Sequence, residues 1–233
     1  MRTLAIVPIK SFEVAKQRLS RSLAGGARRS LVQAMFSDVL GALRRTAGID
    51  GIAVVTADVS ARAAADGDGI VVLEDDVCAG QSAACQIGIR YAIERGYERV
   101  LLVPGDTPLL RPPEVEELLV RAAGDGLTVA IVPDRHGTGT NGLLIAPPDA
   151  FEPSFGEGSL ERHLEQARAG GLEHRVEALP SLEHDIDTPG DLLALWSVVD
   201  ESRRGAQRTR GALSMLDRAG AREAVSGAAA VEA

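Results

Sequence analysis

Three aspartates that follow apolar segments are the residues best suited to chemistry. Asp106 lies in Val-Pro-Gly-Asp-Thr-Pro, and Asp185 and Asp187 lie in His-Asp-Ile-Asp-Thr-Pro. Carboxylates about 4 Å apart repel each other by roughly 4 kcal/mol at an effective dielectric of about 20, so bringing them together requires a cation. The i, i+2 spacing on an extended segment turns Asp185 and Asp187 to one face. The three residues therefore predict a metal site.

The place of Asp106 in the predicted sheet favours this interpretation. It follows the apolar run 100–103, which has the length of a buried strand, and it precedes a helical stretch that starts near Pro112. Open α/β sheets bind ligands at the carboxyl ends of their strands. Taken singly, Asp106 and Asp187 are also typical of turns or helix N-caps before Thr-Pro. Taken together, they favour the metal.

A basic loop follows the first apolar run and carries Lys10, Lys16 and Arg18. Arginine offers a planar fork and lysine a mobile point charge, and both suit a polyphosphate. On charge alone a solvated surface loop explains these residues equally well. Its position at the end of the first strand of a parallel sheet favours phosphate binding.

A second anion site is predicted from two glycine-rich loops, at residues 135–142 and 155–159. Glycines allow backbone amides to turn inward as a nest, and Ser159 begins a predicted helix whose N-terminus carries partial positive charge. Such loops also occur without any ligand. Their proximity to one helix start is what makes the pair informative.

Amino-acid composition and net charge argue against several classes of function. A net charge of −8 with 3% aromatic residues argues against a nucleic-acid surface. No apolar run approaches the length of a membrane span or a signal-peptide core, so we expect a cytoplasmic protein. Cys78 and Cys85 are expected to be reduced thiols, and the four histidines are not spaced as zinc ligands.

The order of apolar runs predicts one α/β domain over residues 1–200, with a Rossmann-like, mainly parallel mixed sheet covered by helices on both faces. Strands are predicted at 4–8, 52–57, 70–74, 100–104, 128–133, 143–146 and 173–178, and helices at 28–45, 81–95, 113–123, 159–169 and 190–199. From residue 201 the sequence is rich in Ala, Gly and Arg with few large apolar side chains. We therefore predict a disordered tail over 201–233, with a transient helix at most around 213–218.

Five motifs in this order resemble the CofC/FbiD family over about residues 1–200. They are Pro-x-Lys with Ala-Lys-x-Arg-Leu after the first strand, Gly-Asp-x-Pro around Asp106, Gly-Thr-Asn at 139–141, Gly-x-Gly-Ser at 156–159 and Asp-x-Asp-Thr-Pro at 185–189. Each motif is weak alone, whereas the combination is specific. The resemblance implies a MobA-type nucleotidyltransferase fold and the synthesis of a guanylylated intermediate of the deazaflavin coenzyme F-420.

The resemblance also implies roles for individual residues. Asp106, Asp185 and Asp187 match Mg²⁺-binding aspartates, and Thr140, Gly156 and Ser159 match positions that hold a phosphoenolpyruvate-type acceptor. The basic residues Lys10, Lys16 and Arg18 fall at the nucleotide phosphates and, with Asp106, are the expected catalytic residues. The expected nucleotide contacts are Pro8, Lys10, Gly80, Gln81 and Ser82. The last three form Gly-Gln-Ser where many relatives have Gly-Leu-Asn.

The implied reaction transfers GMP from GTP to the phosphate of phosphoenolpyruvate and releases pyrophosphate. The sequence leaves 2-phospho-L-lactate and 3-phosphoglycerate open as acceptors. Two rival classes also remain. A metal-dependent glycosyltransferase can carry Asp-x-Asp on such a sheet but leaves the Lys10 loop unexplained, and a GTP-binding regulator would bind nucleotide without releasing pyrophosphate.

Overall fold

The computed structural model describes residues 1–12, 15–65, 67, 69–201 and 205–232. Its strands are β1 (Thr3–Pro8), β2 (Gly51–Val55), β3 (Ile70–Leu73), β4 (Arg99–Leu102), β5 (Val129–Pro133), β6 (Thr140–Ile145) and β7 (His174–Val176). Its helices are α1 (Gly25–Arg45), α2 (Val59–Ala64), α3 (Gln81–Glu94), α4 (Pro112–Gly124), α5 (Ser159–Ala169), α6 (Pro189–Glu201), α7 (Gln207–Arg218) and α8 (Ala221–Glu232). A short 3-10 helix spans Gln17–Arg21.

The seven strands form one sheet in the order β3-β2-β1-β4-β6-β5-β7. Strand β1 pairs in parallel with β2 and β4, whereas β6 runs antiparallel to β4 and β5. The predicted mainly parallel mixed sheet is thereby confirmed. The parallel half places the ends of β1, β2 and β4 at one edge, where their loops can share a ligand.

Side-chain alternation along β1 divides the apolar core into two layers. Ala5 and Val7 pack in the layer that contains α1 and α4, and Leu4 and Ile6 pack in the layer that contains α3. All four are fully buried. This is the pattern of a sheet that is covered on both faces, since successive side chains point to opposite sides.

Helices α7 and α8 differ from the predicted loose tail over 201–233, because α7 packs against α1 and α8 against α6. Leu213 and Val225 are buried in the same core layer as α1. Asp38 on α1 also accepts the backbone N–H groups of Arg208, at 3.2 Å, and Thr209, at 2.8 Å, at the start of α7. A few well-spaced apolar residues are sufficient here because the two helices dock on an existing core.

Two further findings concern membrane-spanning helices and the state of the cysteines. No helix in the described ranges combines the length and apolar character needed to cross a bilayer. Both cysteines are free thiols, with Cys85 buried in α3 and Cys78 exposed in the loop before it.

Candidate active site

The three candidate aspartates lie at the carboxyl end of the parallel strands. Asp106 follows β4, and Asp185 and Asp187 lie in the segment that leads into α6. The basic loop after β1 reaches both places, because the Lys16 ammonium is ion-paired with Asp106 and with Asp187 Oδ1, the latter at 2.6 Å. Residues from three distant parts of the sequence therefore meet at one point.

Lys16 is the central cation of this cluster, and its side chain is only 5% exposed. Burial disfavours the charged ammonium, but the carboxylates of Asp106 and Asp187 outweigh it and raise the pKa of Lys16 above its usual value. The residue adopts the left-handed backbone conformation with φ 56°. A non-glycine residue in that region is strained and persists only where its surroundings hold it, and Lys16 is held by two ion pairs.

Asp185 completes the acidic cluster. Burial, then the charge of Asp106 and then that of Asp187 raise the pKa of the Asp185 carboxyl group above its usual value. The side-chain amide of Asn141 donates a hydrogen bond of 3.3 Å to Asp185 Oδ1 and another of 3.0 Å to the Leu182 carbonyl. Asn141 thus holds the aspartate segment against β6, a role that its place in the Gly-Thr-Asn motif did not indicate.

The donor set fits a hard divalent cation. Three carboxylates that repel one another favour an added positive charge, and oxygen ligands are those that Mg²⁺ prefers. Asp106 Oδ1 is buried and has no hydrogen-bond partner among the described residues. Within those residues no three acidic, histidine or cysteine side chains are already grouped closely enough to hold a metal ion. The Lys16 ammonium is the cation that contacts Asp106 and Asp187 in this arrangement.

Two buried or half-buried aspartates position the loops that carry the cluster. Asp58, which caps α2, accepts hydrogen bonds from Ser11 Oγ at 2.7 Å and from the Phe12 N–H at 3.1 Å. Asp191 accepts the backbone N–H of Asp187 at 2.9 Å and is ion-paired with Arg135. The basic loop and the 185–187 segment are therefore both anchored by carboxylates that lie outside the acidic cluster.

A cavity beside Lys16 and Asp106 brings together most of the expected nucleotide contacts. It is lined by Pro8, Lys10, Gly80 and Gln81 and by the buried Asp75, which sequence reasoning missed. Lys10 and Lys16 are the two lysines of the chain, and both line it. Arg18 instead lines a neighbouring depression next to Thr188. Ser82 does not line the cavity, and its hydroxyl accepts the Phe155 backbone N–H at 2.9 Å.

The expected acceptor residues lie near one another, and Thr140 is adjacent to Asn141, which contacts Asp185. Thr140 begins β6, Ser159 begins α5, and Gly156 lies in the loop before it with φ 116°, a conformation that favours glycine. The N–H of Leu160 donates to the Thr138 carbonyl at 3.2 Å, which brings the start of α5 beside the segment that leads into β6. Ser159 Oγ is buried without a hydrogen-bond partner among the described residues.

One further residue in this region was missed because its partners are distant in sequence. His163 is fully buried and contacts both Thr140 and the loop that contains Gly156. Burial, together with the nearby Arg162 charge, lowers the pKa of His163 to about 4. The imidazole is therefore neutral at physiological pH.

Comparison with known proteins gives a consistent result. The family model described as "Guanylyl transferase CofC like" matches residues 3–203. A phosphoenolpyruvate guanylyltransferase of Conexibacter woesei is 48% identical over 93% of this chain and 97% of its own length. A 2-phospho-L-lactate guanylyltransferase of Methanothermobacter thermautotrophicus is 33% identical over 82% of this chain and 83% of its own.

Solved structures support the predicted fold. A protein of Desulfovibrio desulfuricans G20, named for the nucleotide-diphospho-sugar transferase class, superposes with a TM-score of 0.73. The match covers 94% of this chain and 96% of that one, at 21% sequence identity. At this identity the similarity concerns the fold, which is that of the nucleotidyltransferases predicted from the sequence.

Proposed function

The chain belongs to the CofC-like guanylyltransferase family, and from this premise we propose that it transfers GMP from GTP to the phosphate of phosphoenolpyruvate. The products are pyrophosphate and enolpyruvoyl-diphospho-guanosine, the type of intermediate used for coenzyme F-420. Since GTP and phosphoenolpyruvate are cytoplasmic metabolites, this reaction requires a cytoplasmic enzyme.

The observation that carries the proposal is the position of Lys16. Its ammonium pairs with Asp106 and Asp187, and the cavity that it lines is bounded by Pro8, Gly80 and Gln81. A cation paired with carboxylates in the wall of a mostly apolar cavity suits a nucleotide whose base lies in the cavity and whose phosphates lie at Lys16. We assign Thr140 and Ser159 to the acceptor, because Asn141, the neighbour of Thr140, contacts Asp185 in the acidic cluster.

The reaction needs alignment and charge neutralisation more than proton transfer. An oxygen of the acceptor phosphate attacks the α-phosphorus of GTP, and the bond from that phosphorus to the bridging β-phosphate oxygen breaks. The attacking phosphate is already ionised near neutral pH, so no general base is required. We assign Lys10, Lys16 and Arg18 to the phosphates of GTP, where they offset the charge on the departing pyrophosphate.

We propose that Asp106, Asp185 and Asp187 hold Mg²⁺. When bound, the ion supplies Lewis-acid polarisation of the phosphoryl oxygens. The proposal is supported by the buried Asp106 Oδ1, which has no hydrogen-bond partner among the described residues. It is also supported by the raised pKa of Asp185, which is caused first by burial and then by the charges of Asp106 and Asp187. Before the metal binds, Lys16 balances the charge of Asp106 and Asp187.

We propose Asp75 as the residue that selects guanine. Asp75 is only 4% exposed to solvent, and it lines the nucleotide cavity. Guanine presents two adjacent N–H donors, N1–H and the 2-amino group, that a carboxylate can accept together, whereas adenine presents an acceptor at N1. One Asp75 oxygen already accepts the Cys78 N–H at 3.1 Å, which fixes the orientation of the carboxyl group.

A panel assay of pyrophosphate release tests the proposed function. GTP, ITP, ATP and CTP are each combined with phosphoenolpyruvate, 2-phospho-L-lactate and 3-phosphoglycerate in the presence of Mg²⁺. We expect turnover with GTP and phosphoenolpyruvate, and a preference over phospholactate of about 10 to 200-fold, since the two acceptors differ only by a planar C=C bond in place of a saturated C–C bond. Faster release with phospholactate would refute the acceptor assignment, and no release with any acceptor would refute the guanylyltransferase.

The same assay tests Asp75. ITP lacks the 2-amino group, so the wild type should prefer GTP to ITP by about tenfold or more, and Asp75→Asn should lose most of that preference. Asp76→Asn, at the neighbouring position, is the matched control. An unchanged GTP-to-ITP ratio in Asp75→Asn would remove this residue from base recognition.

A further inference from the structure

His163 links the two parts of the acceptor site through opposite sides of its ring. Nδ1 lies 2.9 Å from Thr140 Oγ1, and Nε2 lies 2.8 Å from the backbone nitrogen of Ser154. Thr140 begins β6, and Ser154 belongs to the loop that leads to Gly156 and α5. One buried side chain therefore contacts both segments.

The contact with Ser154 determines the tautomer. A backbone N–H can only donate, so Nε2 must accept and carries no proton. A neutral imidazole then has its proton on Nδ1, and Nδ1–H donates to Thr140 Oγ1. Because Nδ1 cannot also accept, the hydrogen of the Thr140 hydroxyl must point elsewhere.

The surroundings of His163 preserve this arrangement. The rings of Phe151 and Phe155 both lie with centroids 5.6 Å from the imidazole, and the histidine is fully buried. Water is thereby kept from the ring, and its two hydrogen bonds have no solvent competitor. On α5, Ser159 and His163 are four residues apart and share one face of the helix.

We propose that His163 is a positioning residue that fixes the Thr140 hydroxyl as a hydrogen-bond donor to the phosphorylated acceptor. The inference rests on the proposed function, since it deepens the role of Thr140 at the acceptor site. A threonine hydroxyl that is free to rotate can present either its hydrogen or its lone pairs. A phosphate or carboxylate only accepts, so a hydroxyl held as a donor binds it better.

Four substitutions, two at His163 and two at Thr140, separate the two hydrogen bonds of His163. In His163→Gln the side-chain oxygen can still accept the Ser154 N–H, but nothing donates to Thr140. In His163→Asn the amide nitrogen takes the place of Nδ1 and restores the donation to Thr140. Thr140→Val removes the hydroxyl itself, and Thr140→Ser retains it.

Steady-state kinetics with GTP and phosphoenolpyruvate give the expected pattern. His163→Gln should raise the acceptor KM by about tenfold and leave the GTP KM within about twofold, and His163→Asn should recover most of the loss. In the Thr140→Val background His163→Gln should add little, because the group that it orients is gone. Equal losses for the two His163 variants, or a parallel rise in both KM values with a lower melting temperature, would overturn the positioning role.

A second measurement does not depend on turnover. Nitrogen-15 NMR of the histidine side chains reports which ring nitrogen carries the proton, and the signals of His163 are identified by their loss in His163→Gln. A protonated Nδ1 and a bare Nε2 support the inference, and the opposite tautomer refutes it. Absence of wild-type turnover in the kinetic assay would instead refute the proposed function, so the two failures are distinguishable.

Discussion

The Lys16 ammonium lies 2.6 Å from Asp187 Oδ1, although 171 residues separate the two in sequence. The same ammonium is ion-paired with Asp106 after β4. The loop after β1 is therefore connected to the ends of two other segments through one cation. A substitution at Lys16 should consequently affect both charge balance in the acidic cluster and the phosphates that we assign to this side of the site.

The first prediction concerns this cation. Lys16→Met should lower kcat by at least about a hundredfold, because it removes a positive charge from the phosphate side of the transition state. Lys10→Met, which removes the other lysine of the same loop, is the matched comparison. Lys10 is exposed at the cavity, and we expect its loss to raise the KM for GTP more than it lowers kcat. A Lys16→Met variant with near wild-type kcat would refute the catalytic role.

The second prediction concerns the proposed metal ligands. Asp106→Asn and Asp187→Asn should each lower turnover by at least about a hundredfold and raise the Mg²⁺ concentration needed for half-maximal rate. Both variants should remain folded by circular dichroism, since Lys16 keeps one carboxylate partner in each. Asp217→Asn, an exposed position on α7, is the control. Wild-type activity at saturating Mg²⁺ in either variant would exclude that carboxylate from the mechanism.

Most of the fold was predictable because its strands are short apolar runs separated by amphipathic segments. Helix α2 was missed because it has six residues, and its start depends on the Asp58 side chain that accepts the Ala61 N–H at 2.9 Å. The C-terminal helices were missed for another reason. Composition counts large apolar residues, whereas Leu213 and Val225 matter through their spacing and through a surface supplied by the rest of the chain.

The site was only partly predictable for a related reason. Sequence motifs indicated Asp106, Asp185, Asp187 and Lys16, since each lies in a short pattern with a recognisable chemical type. His163 and Asp75 carry no such local signal. The importance of His163 follows from its burial and from its contact with Thr140 on another strand, and that of Asp75 follows from its burial at the cavity.

The third prediction tests the docking of α7. Leu213→Ala should lower the free energy of unfolding by about 2–4 kcal/mol, since Leu213 is 1% exposed and its removal leaves a cavity against α1. Met215→Ala on the same helix is the matched control, because Met215 is 66% exposed and its change should stay within about 0.5 kcal/mol. Urea denaturation of both variants measures the difference.

Truncation after residue 204 extends this test to both helices. It should lower the melting temperature by at least about 5 °C, because the apolar surface covered by α7 and α8 becomes exposed to water. Activity at 25 °C is a separate readout. We expect the truncation to change it little, since neither helix lines the cavity beside Lys16. Equal stability of Leu213→Ala and Met215→Ala, or an unchanged melting temperature on truncation, would show that the helices do not dock in solution.

The last prediction is a pH dependence of stability that originates at His163. Its pKa is about 4 in the folded protein, because burial and the Arg162 charge disfavour the imidazolium, whereas an exposed histidine in the unfolded chain titrates near 6.5. As the pH falls below about 6.5, the unfolded state takes up the proton before the folded state does. The contribution of neutral His163 to the free energy of unfolding is therefore fully present above that pH and is lost towards pH 4. At pH 5 the loss amounts to about 2 kcal/mol.

Other groups also titrate in this range, so the measurement is a difference between variants. The free energy of unfolding of the wild type and of His163→Gln is determined by urea denaturation between pH 7.5 and 5, with the exposed His136→Gln as the control. The difference in the free energy of unfolding between wild type and His163→Gln should narrow by about 2 kcal/mol from pH 7.5 to 5, because glutamine cannot take up the proton. Parallel profiles for wild type and His163→Gln would mean that His163 takes up its proton over the same pH range in the folded and unfolded states. Burial would then not disfavour the imidazolium, contrary to an imidazole whose bare Nε2 accepts the Ser154 N–H.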